Sequence, residues 1–192
     1  METAFRQSMA WRKNGAVDPQ FLACVNISAR ELEGGGALEQ VAASLDAAGH
    51  SPEQLCIEIS ERTPPARSPA TFSTLDGLSE LGVRLALDDF GVGQSSLDML
   101  RRLPIYWLKL DRSYVARLDA DPRATAVTSG IVSLAHALGA TVVAEGIESE
   151  SQRTRLLELG CDLGQGFAIA RPAPAAQMPA AFAEAGQAQY LS

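Results

Sequence analysis

The sequence predicts an α/β fold built on a parallel sheet. Three observations carry that reading. Short apolar, β-branched runs recur along the 192 residues, helical patterns with readable ends lie between them, and the polar residues of each run gather at its C-terminal end. Strands that alternate with helices form βαβ units, and strands that are apolar nearly throughout belong to a sheet covered on both faces.

Taken in order, METAFRQSMAWRKNG is too polar for a secretory signal. FLACVNIS at 21–28 is the first strand run, and its period of two puts Asn26 and Ser28 on one face. His50 lies in a loop before Ser51 and Pro52, and QLCIEIS at 54–60 is the next run, with Glu58 near its end. Ser68 and Pro69 fit the N-cap and first helical position before Phe72, Leu75, Leu78 and Leu81, and Gly82 supplies the stop. VRLALDDF at 83–90 ends in Asp88 and Asp89 and runs into a loop flanked by Gly91 and Gly93. IYWLKLD at 105–111 places Lys109 and Asp111 on one face. Asp121 and Pro122 open a helix whose inner face is expected to be Val127, Ile131, Leu134 and Leu138, with His136 off that stripe and solvated. ATVVAEG at 140–146 carries Glu145, and Ser149 with Gln152 makes a capping box ahead of Leu156, Leu157 and Leu159, ended by Gly160. QGFAIA at 165–170 is a sixth, weaker strand run, and from Pro172 the chain is alanine-rich with a short helix and no evident chemistry.

A net charge of -7 and a pI near 4.8 argue against a basic surface for long nucleic acids. No apolar run approaches the roughly 18 residues of a membrane span, and Cys24, Cys56 and Cys161 form no CxxC pair, which reads as a reduced, intracellular chain. In a parallel barrel the C-terminal strand ends share one rim, where sites in such folds are built. Here that rim would gather Asn26, Glu58, Asp88, Asp89, Lys109, Asp111 and Glu145, five carboxylates with one lysine. Such a cluster repels itself unless a cation sits among it. Its donors are oxygen only, which suits Mg2+ or Mn2+ better than zinc or copper. Each acid taken singly also reads as a helix cap, and Lys109 reads either as the partner of Asp111 or as a group facing a phosphate or an attacking water.

VNISARELE, CIEISE, LALDDFGVGQSSL, LPIYWLKLD, VVAEGIESESQ and LGCDLGQG, in that order, resemble the EAL domain family, phosphodiesterases acting on cyclic di-GMP. The resemblance covers about residues 5–174 and implies a TIM-like (β/α) barrel that binds two Mg2+ or Mn2+ ions and converts cyclic di-GMP to linear pGpG in bacterial second-messenger signalling. By motif match, Asn26, Glu58 and Asp88 would hold one metal and Asp89 would reach the second. Lys109 would contact the nucleophilic water or phosphate, while Asp111, Glu145 and Gln165 would complete the metal and water shell, Glu145 as proton acceptor. Glu61 would brace the loop after Asp89, with Glu148 as further loop support, and that loop would couple the metal site to a homodimer.

The resemblance also has gaps. The tripeptide Glu-Ala-Leu that names the family occurs nowhere in the sequence, and six strand runs are visible where a closed barrel has about eight. The expected domain therefore runs over residues 1–174, incomplete at its N-terminus, with a tail over 175–192. Two readings follow. One is a fragment of a longer cytoplasmic or membrane-anchored signalling protein with an upstream sensory or cyclase domain, its activity lowered by the absent glutamate ligand. The other is a short, catalytically inactive member that binds cyclic di-GMP or a protein partner as sensor or scaffold. Val92 and Gln94 stand where the family usually has threonine and tyrosine, and Tyr106 where it often has aspartate.

Overall fold

In the computed structural model, which describes residues 2–18, 21–93 and 96–180, the chain forms an incomplete TIM-like (β/α) barrel. Its strands are β1 (Ala23–Ile27), β2 (Leu55–Ser60), β3 (Arg84–Phe90), β4 (Ile105–Leu110), β5 (Thr141–Glu145) and β6 (Leu163–Gln165). All neighbours are parallel and the order in the sheet is β1-β2-β3-β4-β5-β6, so each strand pairs with the next one in the chain. The helices are α1 (Glu2–Lys13), α2 (Ala29–Glu33), α3 (Ala37–Ala48), α4 (Pro69–Glu80), α5 (Ser96–Arg102), α6 (Arg112–Val115), α7 (Pro122–Ala137) and α8 (Glu150–Glu158).

The core lies between sheet and helices. Leu75 and Leu78 of α4, Leu85 and Leu87 of β3, and Leu108 and Leu110 of β4 are almost wholly buried, each contributing on the order of 1.5–3 kcal/mol by removal from water. Helix ends follow their local chemistry. Ser68 accepts from the Thr71 amide with Pro69 at the first position of α4, and Ser149 and Gln152 close a reciprocal capping box on α8.

Two expectations need correction. The face that α7 buries is Thr128, Val132 and Ala135, while Val127, Leu134 and Leu138 are exposed and Ile131 is only partly covered. The small side chains let the helix lie close on the sheet, so the register is one residue from the one that the largest apolar groups suggest. The last strand is Leu163–Gln165 rather than 165–170, and Phe167 is exposed beneath the Arg171 guanidinium, 4.8 Å from its ring centre. His136 is exposed and off the buried stripe, as expected, and its Nε2 lies 2.9 Å from Asp162 Oδ2, an oxygen that also accepts from the Val142 amide at 2.8 Å. Asp162 thereby fixes the end of α7 against the start of β5.

His50 has the opposite setting. It is buried, with Nε2 2.7 Å from Ser8 Oγ on α1, and burial holds its pKa below the ordinary histidine value. A base with a depressed folded pKa stabilises the fold above its unfolded pKa, about 6.5, and that stability is lost as pH falls through the folded value. The stability measured by urea unfolding across this acidic window should therefore fall with falling pH, by up to about 1.4 kcal/mol per pH unit. His50→Gln should remove that part of the slope; an unchanged slope would mean that another group carries it.

Among the described residues no helix is long and apolar enough to cross a membrane. Cys24, Cys56 and Cys161 are free thiols. Gln94 lies outside the described residues.

Candidate active site

Parallel register brings the polar strand ends into one row. Asn26 is the Cα partner of Glu58, Ser60 of Asp88, Lys109 of Val143 and Glu145 of Gln165. The exception is instructive. Leu87 pairs with Leu108 and Phe90 with Leu110, so Asp88 and Asp89 together stand opposite Lys109 alone. That two-against-one count is a β-bulge, which re-aims side chains at the rim of a sheet. Asp89 takes φ +57°, the only positive φ of a non-glycine among the described residues. Aspartate tolerates that conformation better than most residues. The bulge is what lets two adjacent carboxylates serve the same rim in different directions.

Asp88 turns toward Lys109. The Lys109 Nζ lies 2.8 Å from Glu145 Oε1, 2.9 Å from Asp88 Oδ1 and 3.0 Å from Glu58 Oε1, with its side chain only 7% exposed. Burial alone would push its pKa down, but Glu145, Glu58 and Asp88 outweigh burial and hold it above the ordinary lysine value. Glu145 is raised, chiefly by burial, and its Oε1 also accepts from Gln165 Nε2 at 2.9 Å. Lys109 thus pairs with three carboxylates, none of them Asp111, which corrects the pairing considered from sequence.

Asp89 turns toward Arg62, a residue the sequence reading passed over. Arg62 Nε is 2.9 Å from Asp89 Oδ2 and its Nη2 pairs with Asp111 Oδ2. Ser60 Oγ also donates to Asp89 Oδ2 at 3.3 Å. Asp111 has two occupations, because its Oδ1 caps α6 by accepting from the Ser113 amide at 2.8 Å. Burial would raise its carboxyl, but the Ser113 and Arg62 hydrogen bonds hold it below the usual range. The rim therefore carries five carboxylates against two cations rather than one. The signal that could have found Arg62 was a basic residue directly after Glu61, just past the end of a strand whose neighbours end in acids.

The loop after Asp89 is held from two sides. Glu61 Oε2 accepts from the Gly91 amide, the Glu61 amide donates to Asp88 O at 2.9 Å, and Tyr114 Oη donates to Gly91 O at 3.0 Å. Gly91 has φ +98°, and a Cβ there would lie 2.2 Å from Tyr114 Oη; only glycine fits. Val92 and Tyr106 are exposed, the latter under the Arg84 guanidinium. Asn26 is exposed at the end of β1, beside Glu58. Ser28 caps α2 through a box with Glu31, and Glu148 is exposed, with its amide donating to Gln152 Oε1 at 2.8 Å.

Among the described residues no group of three or more His, Cys, Asp or Glu side chains is placed to hold an ion, and the rim carboxylates are paired with Lys109 and Arg62. The chemistry of the donor set still fits a hard divalent cation. All donors are oxygen, the acids outnumber the bases, and buried Asp88 Oδ1 has its charge contact with Lys109 but no well-directed hydrogen bond.

The profile of the EAL domain matches residues 1–172. The cyclic di-GMP phosphodiesterase RocR of Pseudomonas aeruginosa is 40% identical over 172 residues, 88% of this chain and 44% of that protein. Among solved structures, the PaMucR phosphodiesterase in complex with c-di-GMP superposes with a TM-score of 0.84 at 38% identity, covering 92% of this chain and 71% of that one. The manganese/cy-diGMP complex of Klebsiella pneumoniae BlrP1 gives 0.80 at 30% identity, covering 89% and 43%. The chain spans less than half the length of the curated relatives it matches.

Proposed function

The chain belongs to the EAL domain family, and from that premise we propose that it is a metal-dependent phosphodiesterase domain that hydrolyses cyclic di-GMP to linear pGpG. The observation that carries the reading is the rim itself: Glu58, Asp88 and Glu145 converge on Lys109, while Asp89 and Asp111 stand on the far side of the same bulge. RocR and BlrP1, named above for this substrate, support it. Asn26, Glu58 and Asp88 would hold one Mg2+ or Mn2+, and Asp89 with Asp111 a second. Bound ions would mask the charge of an anionic phosphodiester and supply hydroxide near neutral pH.

The chain's own groups have definable tasks. Lys109 keeps a fixed positive charge at the mouth, since its three carboxylates hold the proton on it, and so faces the phosphate or attacking water. Glu145, whose carboxyl burial holds above its ordinary value, would act as the proton acceptor. Gln165 orients it through Oε1. Glu61 holds the loop after Asp89 through the Gly91 amide, the segment through which a second copy would pair, with Glu148 supporting the neighbouring loop. The domain is taken as residues 1–174, with 175–192 as a tail; a sensory or cyclase domain upstream and a cytoplasmic location belong to the same reading.

A second reading has one observation in its favour. With no three-acid group placed for an ion among the described residues, the domain would bind cyclic di-GMP or a protein partner without cleaving it. Incubation of the chain with cyclic di-GMP and Mn2+, followed by chromatography, separates the two. Release of pGpG supports the enzyme, whereas saturable nucleotide binding with no pGpG under any metal supports the binding module.

A further inference from the structure

We propose that Arg62 is a built-in cation at the second metal position, so that a divalent ion enters there only when the guanidinium is displaced. The proposal rests on the reading of the rim as a metal site. Its basis is how the two halves of the rim are neutralised. On one half Lys109 is almost fully buried; on the other, Arg62 reaches in from solvent with 53% of its side chain exposed. Two arms of one planar fork span one carboxylate of β3 and one just past the end of β4: Nε meets Asp89 Oδ2 at 2.9 Å and Nη2 meets Asp111 Oδ2.

The oxygens so engaged belong to the two acids that would hold the second ion. Asp111 has no freedom to offer its other oxygen, because Oδ1 caps α6. The segment holds the arginine in place, since the Arg62 amide donates to Ser60 Oγ at 3.2 Å and Ser60 Oγ in turn touches Asp89. A guanidinium never loses its charge, is weakly hydrated and matches two carboxylates better than an ammonium does. An exposed side chain can nevertheless swing away, so occupancy by Arg62 is a competition rather than a block. Arg62 is thus a positioning residue that sets how many ions the rim holds.

The test is a Mn2+ titration of the full chain without nucleotide, followed by the paramagnetic resonance of free Mn2+, for the wild type, Arg62→Ser and Arg62→Lys. The wild type is expected to bind one ion well and a second far more weakly. Arg62→Ser should bind two, with the second tightened about tenfold or more. Arg62→Lys should fall between, because one ammonium cannot fork across both acids; it also keeps the charge, which guards against a folding defect in the serine variant. Two ions of similar affinity in the wild type, or a second site unmoved by Arg62→Ser, would overturn this proposal and leave the phosphodiesterase reading standing. No Mn2+ uptake in any of the three would overturn both.

Discussion

Lys109→Met is expected to destabilise the metal-free domain by about 3–5 kcal/mol, the usual consequence of removing one member of a buried ion network. Glu58, Asp88 and Glu145 would be left facing one another with their common cation gone and little water to replace it. The pH dependence gives the effect a sign. Because the lysine pKa is raised in the folded state, its stabilisation is fully present below the unfolded value of about 10.4 and is lost as pH rises through the higher folded value. The wild type should therefore weaken at strongly alkaline pH and the variant should not follow that curve. Mn2+ should raise the urea midpoint of the variant more than that of the wild type, since one cation then replaces another. A loss below about 1 kcal/mol in metal-free buffer would show that the three acids remain hydrated and that the network is not the desolvated cluster its geometry describes.

Asp88→Asn carries the largest expected effect on activity: a fall in pGpG formation of about 10^3-fold or more, with the fold retained. The amide has nearly the same shape but no charge. Lys109 keeps Glu58 and Glu145, so no buried cation is orphaned and the melting temperature should move by only a few degrees. Turnover by the variant at the wild-type rate would remove Asp88 from the metal site. Loss of turnover together with loss of the fold would instead assign it a structural task; circular dichroism on the same samples tells these apart.

Much of this arrangement is legible in the sequence because the signals are local. A serine before a proline, or a serine three residues before a glutamine, places the start of α4 and α8 with no knowledge of the rest of the chain. Apolar runs likewise place β2, β3, β4 and β5 to within a residue or two. What is not legible depends on contacts between distant segments. The buried face of α7 is chosen by how closely it can approach the sheet, so Thr128 and Ala135 displace Val127 and Leu134. The weak run after Gln165 is apolar in composition, yet the strand stops before Gly166, which lies so close to Ile147 that a Cβ there would be 2.2 Å from its backbone N and O. The acids of the rim could be enumerated from strand ends, but their division between two cations could not. That division depends on the bulge opposite Lys109, and pairing register is not written in either strand alone.

The order of the sheet has a consequence for how the molecule comes into being. With each of β1 to β5 bonded to the strand that follows it among the described residues, each βα unit can dock soon after it leaves the ribosome. Closing each crossover costs loop entropy over one helix rather than over the whole chain. Growth of the sheet then proceeds from β1 toward β6, domain material being synthesised N-terminal first. The pairs that complete the rim form along the way: Glu58 arrives before Asp88, Asp88 before Lys109, and Glu145 last. Until β4 emerges, the acids of β2 and β3 have no lysine between them, so the charge cluster that defines the finished site opposes the sheet while it is still growing.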